Sequence, residues 1–146
     1  MKKVMVLCTA NSCRSQMAEG FLRELGKGLV EAHSAGVFSA QVHPRAIAVM
    51  KEIGIDISGQ RSKAIDRDLL KRMDVVITVC GNAEAFCPVT PPGLMRIHWP
   101  IKDPVGTSGS EEKIMKAFQK CRDEIRKRIE GFLKELREQG AGQIQP

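Results

Sequence analysis

A chain of 146 residues, 42% hydrophobic and 27% charged, fits one globular domain that buries roughly 70% of its unfolded surface. A net charge of +6 raises the alternatives of nucleic acid or a small anionic substrate. In the densest charged stretch, Glu111 to Glu138, nine Lys/Arg interleave with seven Asp/Glu, and the chain has only five Phe, one Trp and no Tyr; a solvated helix face without stacking platforms argues against a nucleic-acid partner.

Lys2 and Lys3 precede the apolar run Val4-Met5-Val6-Leu7, which is too short for the about 7–15 apolar residues of a secretory signal. Its β-branched and aliphatic content fits a buried parallel strand. A helix is expected from about Ser15 to Leu25, with Met17, Ala18, Phe21, Leu22 and Leu25 on one face and Gly26 and Gly28 ending it. Val30 to Ala35 reads as a second strand. His43-Pro44 opens another helix, since proline suits a first helical turn; Ile47, Met50 and Ile53 share a face, and Gly54 stops it.

Asp66 caps a short helix to Met73, and Asp74 to Val79 is the clearest strand. Arg96 to Trp99 is a weaker fourth strand, reached through a loop containing Pro88, Pro91, Pro92 and Gly93. Ser110 caps a long final helix with apolar residues at Ile114, Phe118, Cys121, Ile125, Ile129, Phe132 and Leu136. No segment approaches the roughly 18 apolar residues of a membrane span. Residues 1–138 should form one domain and 139–146 a flexible tail. A cytoplasmic monomer without membrane contact is expected, in which thiols stay reduced and serve chemistry or metal binding.

Strands alternating with helices imply an α/β fold: a four-stranded parallel sheet with helices on both faces. Ligands of such sheets bind beyond the carboxyl ends of the strands. Cys8, Cys80 and Asp103 all fall there.

The segment Cys8-Thr9-Ala10-Asn11-Ser12-Cys13-Arg14-Ser15 joins the first strand to a helix. Backbone N–H groups of Thr9, Ala10, Asn11, Ser12, Cys13 and Arg14 wrapping one turn make a nest for an oxyanion, and the helix N-terminus adds positive potential. The planar fork of Arg14 can hold two oxygens. This field favours a thiolate at Cys8, the attacking species, and Ser15 is placed to donate to it. A buried inert cysteine would not require the polar run and the Arg-Ser at the helix start.

Asp103-Pro104 follows the fourth strand. It could simply open a turn, but expulsion of an oxygen leaving group needs a proton donor, and Asp103 lies on the right sheet edge to be one. Cys80 and Cys87 are seven positions apart. That spacing lacks the paired knuckles of zinc sites, and a small hydrophobic packing role is open to either thiol; a redox role suits them better. In a rigid helix their Cα atoms would lie about 10 Å apart, beyond the roughly 7 Å that a disulfide spans, so joining them would require the segment to refold.

The chain resembles the thioredoxin-coupled arsenate reductases, which share the low-molecular-weight protein tyrosine phosphatase fold. The resemblance runs from about Lys3 to Leu136. It rests on the sequence from Leu7 to Gly20, Ser34-Ala35-Gly36, Val79-Cys80-Gly81-Asn82-Ala83, Cys87-Pro88-Val89-Thr90-Pro91-Pro92 and His98-Trp99-Pro100-Ile101-Lys102-Asp103-Pro104. It implies that Cys8 attacks arsenate, Asp103 protonates the departing oxygen, Cys80 attacks Cys8 at sulfur to release arsenite, and Cys87 then makes a Cys80–Cys87 disulfide for thioredoxin to reduce.

No bound metal or cofactor is implied beyond that external reductant, with glutaredoxin the alternative. Some members of the family bind potassium through positions matching Asn11, Glu19 and Ser34 and an acidic residue where this chain has Lys63. Lys63 is therefore expected to replace the cation, so that potassium is not required. The chief alternative is a phosphotyrosine phosphatase, but Val105-Gly106-Thr107 follows the Asp-Pro where those enzymes often place Tyr, and a phosphatase has no use for Cys80 and Cys87. A thiol-based sensor would need a DNA-reading helix with a basic face, which is absent. Cys13 is read as shaping the loop, Cys121 as core, and His33 and His43 as remote from the site; His98 is placed at a strand end.

Overall fold

The computed structural model describes the backbone of residues 1–80 and 91–144, with side chains described as far as residue 139. Strands β1 (Lys2–Cys8), β2 (Val30–Gly36), β3 (Val75–Thr78) and β4 (Met95–His98) form one parallel sheet in the order β2-β1-β3-β4. Helices α1 (Arg14–Leu25), α2 (Pro44–Lys51), α3 (Arg67–Lys71) and α4 (Glu111–Ile144) connect and follow them. β1 and β3 are central and buried over Val4–Cys8 and Val75–Thr78, because helices cover a parallel sheet on both faces.

The pleat divides β1 between two cores. Val4, Val6 and Cys8 face a large cluster with Val75 and Ile77 of β3, Met17, Phe21 and Leu22 of α1, Met50 of α2, and Phe118, Ile125 and Ile129 of α4. Met5, Leu7 and Val76 face a smaller one with Leu70 and Met73. Alternate residues of a strand point to opposite faces, which is how one apolar run serves both. Each fully buried large side chain, such as Phe21 or Phe118, contributes about 1.5–3 kcal/mol relative to an exposed one.

Local chemistry sets the element ends. His43 caps α2, its Nδ1 accepting from the Arg45 N–H at 3.1 Å, with Pro44 in the first turn. Asp66 caps α3 by accepting from the N–H groups of Asp68 and Leu69. α3 ends at Lys71, earlier than the expected Met73. The final helix continues to Ile144, past the point where a tail was expected. A glycine costs only about 1 kcal/mol inside a helix, and no proline intervenes before Pro146. Among the described residues no helix is long and apolar enough to cross a membrane.

Candidate active site

The β1–α1 connection folds into a loop at the carboxyl edge of the sheet, and its residues divide into those that line a cavity and those that hold the lining in place. Cys8, Thr9, Ala10, Ser12, Cys13, Arg14, Ala40, Asp103 and Val105 border a cavity of about 200 Å³, a size suited to a small anion. α1 has no side-chain hydrogen bond at its N-cap and no acidic residue in its first turn, so its N-terminal N–H groups and positive potential remain available to an anion.

Asn11 is the hub behind the loop. It is fully buried and adopts φ 49°, a left-handed conformation that asparagine tolerates better than most residues. Its Nδ2 donates to Ser15 Oγ at 2.8 Å and Ser34 Oγ at 2.9 Å, while its Oδ1 accepts from Gln16 Nε2 and the Lys63 N–H, each at 2.9 Å. The amide therefore uses both N–H donors and accepts two bonds at its oxygen. Ser15 Oγ lies 2.8 Å from Cys8 Sγ. That oxygen accepts from Asn11 and keeps a proton and a second lone pair for its contact with the sulfur.

The network continues outward. Ser34 Oγ donates to Glu19 Oε1 at 2.6 Å, and Arg23 pairs with the other carboxylate oxygen. Lys63 Nζ lies 3.7 Å from Glu19 Oε1 and donates to the Arg61 carbonyl at 2.6 Å. An ammonium thus stands beside Glu19, one of the positions through which the sequence resemblance anticipates a cation.

Arg14, on the other wall, is buried. Its NH1 donates to the carbonyls of Val79 at 3.0 Å and Ile101 at 2.9 Å, which fixes the guanidinium plane across the ends of β3 and β4. NH2 lies 3.6 Å from Asp103 Oδ2. The remaining N–H groups on NH2 and Nε can serve two oxygens of a tetrahedral anion. Asp103 caps the short 3-10 turn Pro104–Gly106, its Oδ1 accepting from the Val105 N–H. Its side chain is 47% exposed.

The residues singled out in the sequence therefore separate by position. Cys8, Thr9, Ala10, Ser12, Cys13, Arg14 and Asp103 meet at the cavity, with Asn11 and Ser15 buried behind it. Cys80 is buried two residues beyond the end of β3, next to Val79, whose N–H bonds the Leu7 carbonyl. It shares the sheet edge with Cys8 but does not line the cavity. Cys87 lies outside the described residues.

His43 is a correction. It was expected to be remote, yet its N–H donates to the Ser12 carbonyl at 2.9 Å and its ring packs on Phe118. Burial, then Arg45, holds this imidazole below its ordinary pKa. The reason is tertiary: the start of α2 docks against the anion loop. His33 pairs with Glu31 on β2, and His98 lies 2.6 Å from Thr78 Oγ1.

Sequence reasoning missed three supports of the loop. Gln16 bonds both oxygens of Asn11 and the Arg61 carbonyl. Ser62 bridges the Ala10 carbonyl and the Ala40 N–H. Gly36 lies so close that a Cβ there would fall 2.7 Å from both Asn11 N and Thr9 O. The Ser-Ala-Gly motif was the available signal for the last of these.

A family model for the low molecular weight phosphotyrosine protein phosphatases matches residues 3–142. An arsenate reductase of Halalkalibacterium halodurans is 47% identical over 131 residues, 90% of this chain and 94% of that protein. A solved structure described as an arsenate reductase in the phosphate binding state is 41% identical, with a TM-score of 0.75 over 93% of this chain and 99% of its own. A thioredoxin-dependent arsenate reductase of Corynebacterium glutamicum is 28% identical at a TM-score of 0.75, covering 95% of this chain and 63% of the longer protein. The chain belongs to the low molecular weight phosphotyrosine protein phosphatase family and, within it, to the arsenate reductases.

Proposed function

We propose that the protein reduces arsenate to arsenite with Cys8 as nucleophile and Cys80 and Cys87 as the thiols that supply the electrons. The carrying observation is the Cys8 thiol at the cavity, 2.8 Å from the Ser15 hydroxyl, which Asn11 holds in place. Arsenate binds between the loop N–H groups and Arg14. Cys8 attacks arsenic, and Asp103 gives its proton to the oxygen that leaves as water. The Cys80 thiolate then attacks Cys8 sulfur. The electron pair of the S–As bond passes to arsenic, which leaves as arsenite while a Cys8–Cys80 disulfide forms.

Cys87 displaces Cys8 from Cys80 by thiol–disulfide exchange. The Cys80–Cys87 disulfide is returned to dithiol by thioredoxin, with glutaredoxin a less suitable reductant because the chain supplies its own resolving pair. The protein works as a cytoplasmic monomer, where reductants keep its thiols reduced.

Lys63 beside Glu19 supports activity independent of potassium, since its ammonium supplies the positive charge locally. Replacing potassium by a large organic cation should leave arsenate turnover unchanged; strong activation by potassium would overturn this role for Lys63. The relay is tested with Cys80→Ser and Cys87→Ser, assayed on arsenate with thioredoxin and on an aryl phosphate. Multiple-turnover reduction should be lost while a weak phosphatase side activity remains. Equal loss of both activities would make the two cysteines structural and sink the relay.

A further inference from the structure

Hydrogen bonds behind the anion loop run in one direction. Arg23 NH1 donates to Gln60 Oε1 at 2.8 Å, Gln60 Nε2 to Gln16 Oε1 at 2.8 Å, Gln16 Nε2 to Asn11 Oδ1 at 2.9 Å, and Asn11 Nδ2 to Ser15 Oγ at 2.8 Å. Ser15 Oγ stands 2.8 Å from Cys8 Sγ. The chain thus begins at a half-exposed guanidinium and ends at the proposed nucleophile. Its outer members, Arg23, Gln60 and Gln16, do not line the cavity and touch no reacting atom.

Its polarity is fixed at both ends. An amide can turn over and exchange its oxygen for its NH2, but a guanidinium and a backbone N–H can only donate. Arg23 holds the Gln60 oxygen, which turns the Gln60 NH2 toward Gln16. The Lys63 N–H holds the Asn11 oxygen, which turns the Asn11 NH2 toward Ser15 and Ser34. Ser34 gives its own proton to the Glu19 carboxylate and so accepts from Asn11. Gln16, fully buried between these groups, also donates to the carbonyls of Asn11 and Arg61, each at 3.0 Å. Turned over, its oxygen would face acceptors alone.

The direction matters to the sulfur. A thiolate carries no proton, so once Cys8 ionises the Ser15 hydroxyl is the donor in their contact. With Asn11 turned over, its Oδ1 would compete for that proton. Hydrogen bonds in a low-dielectric interior also polarise one another, so donors aligned from a cation at the outer end favour negative charge at the inner end. The other charges near Cys8 lie outside the chain: Arg14 and Asp103 line the same cavity, and Lys63 stands against Glu19, which Arg23 also pairs with.

We infer that Gln16 and Gln60 are positioning residues for Cys8, carrying an aligned chain of donors from Arg23 to Ser15 that favours the thiolate. This rests on Cys8 as the nucleophile of the proposed function, but not on arsenate as its substrate.

The reduced full chain is treated with iodoacetamide over a range of pH, and peptide mapping by mass spectrometry follows Cys8 alone. Methionine is close to glutamine in length and brings no charge, so Gln16→Met and Gln60→Met remove links without changing the surrounding ions. Gln16→Met should move the Cys8 profile to higher pH and slow its alkylation at neutral pH on the order of fivefold, the fold-change of one lost hydrogen bond. Gln60→Met, one link further out, should move the profile the same way and slow alkylation about twofold. A merely structural role would lower the melting temperature and leave the profile in place. A wild-type profile in either variant overturns the chain. Should Gln16→Met fail to fold, Gln60→Met at its part-buried position decides alone by the same criterion. Shifted profiles in a chain that does not reduce arsenate would defeat the proposed function and leave this inference standing; arsenate reduction with unshifted profiles would defeat this inference alone.

Discussion

The two walls of the cavity are built in opposite ways. On the nucleophile side, Asn11, Ser15 and Gln16 are fully buried and Cys8 nearly so, all joined by hydrogen bonds of 2.8–3.0 Å. On the acid side, the Asp103 side chain is half exposed, touches Arg14 only at 3.6 Å, and neighbours the exposed Val105. An anion hole works by holding dipoles in place before charge develops, so rigidity serves it. A proton donor must exchange its proton with water on every cycle, so access serves Asp103. Removal of a group should therefore have different signatures on the two sides: loss of stability with activity on the first, loss of activity alone on the second.

The sharpest break comes from Cys8→Ser. A serine hydroxyl is not ionised at neutral pH, so arsenate turnover and phosphatase activity should both disappear in steady-state assays. Asp103→Asn should lower the arsenate turnover rate by about 10²–10⁴-fold, the range of a lost general acid. Its stability in urea should stay within about 0.5 kcal/mol of wild type, as for an exposed substitution. A stability loss above that would place Asp103 among the structural residues and erase the contrast.

Asn11→Ala tests the rigid wall. It strands Ser15, Ser34, Gln16 and the Lys63 N–H, and leaving buried polar groups unpaired should cost about 1–3 kcal/mol in denaturant unfolding. Activity should fall with it, because Ser15, 2.8 Å from Cys8, loses the amide that holds it. Gly36→Ala pushes a methyl group into the loop backbone. Overpacking of this kind should destabilise by about 1–3 kcal/mol and raise KM for arsenate more than it lowers kcat. Unchanged stability in both variants would mean that the loop keeps its shape without these contacts.

The layout of the site was legible along the chain because its chemistry is local. A nucleophile, a polar turn and an Arg-Ser at a helix start are neighbours in sequence, and strand–helix alternation alone puts Cys8, Cys80 and Asp103 on one sheet edge. The expected strands and the helices after β1, at Pro44 and after Ser110 also lie where their periodicity and caps placed them, within a few residues at the ends. Helix ends were less legible, as at Lys71 and Ile144, since the last turns depend on packing as much as on propensity.

What the sequence by itself determined is therefore the fold class, the family motifs and the candidate reacting residues. Only the tertiary structure decided which groups satisfy Asn11, that Gly36 must remain without a side chain, that His43 supports the loop, and that Lys63 stands against Glu19. The physical reason is common to all four. A buried polar or reactive group must find its partners in space, and these partners come from strands and helices that are distant in the chain until the sheet and α4 bring them together.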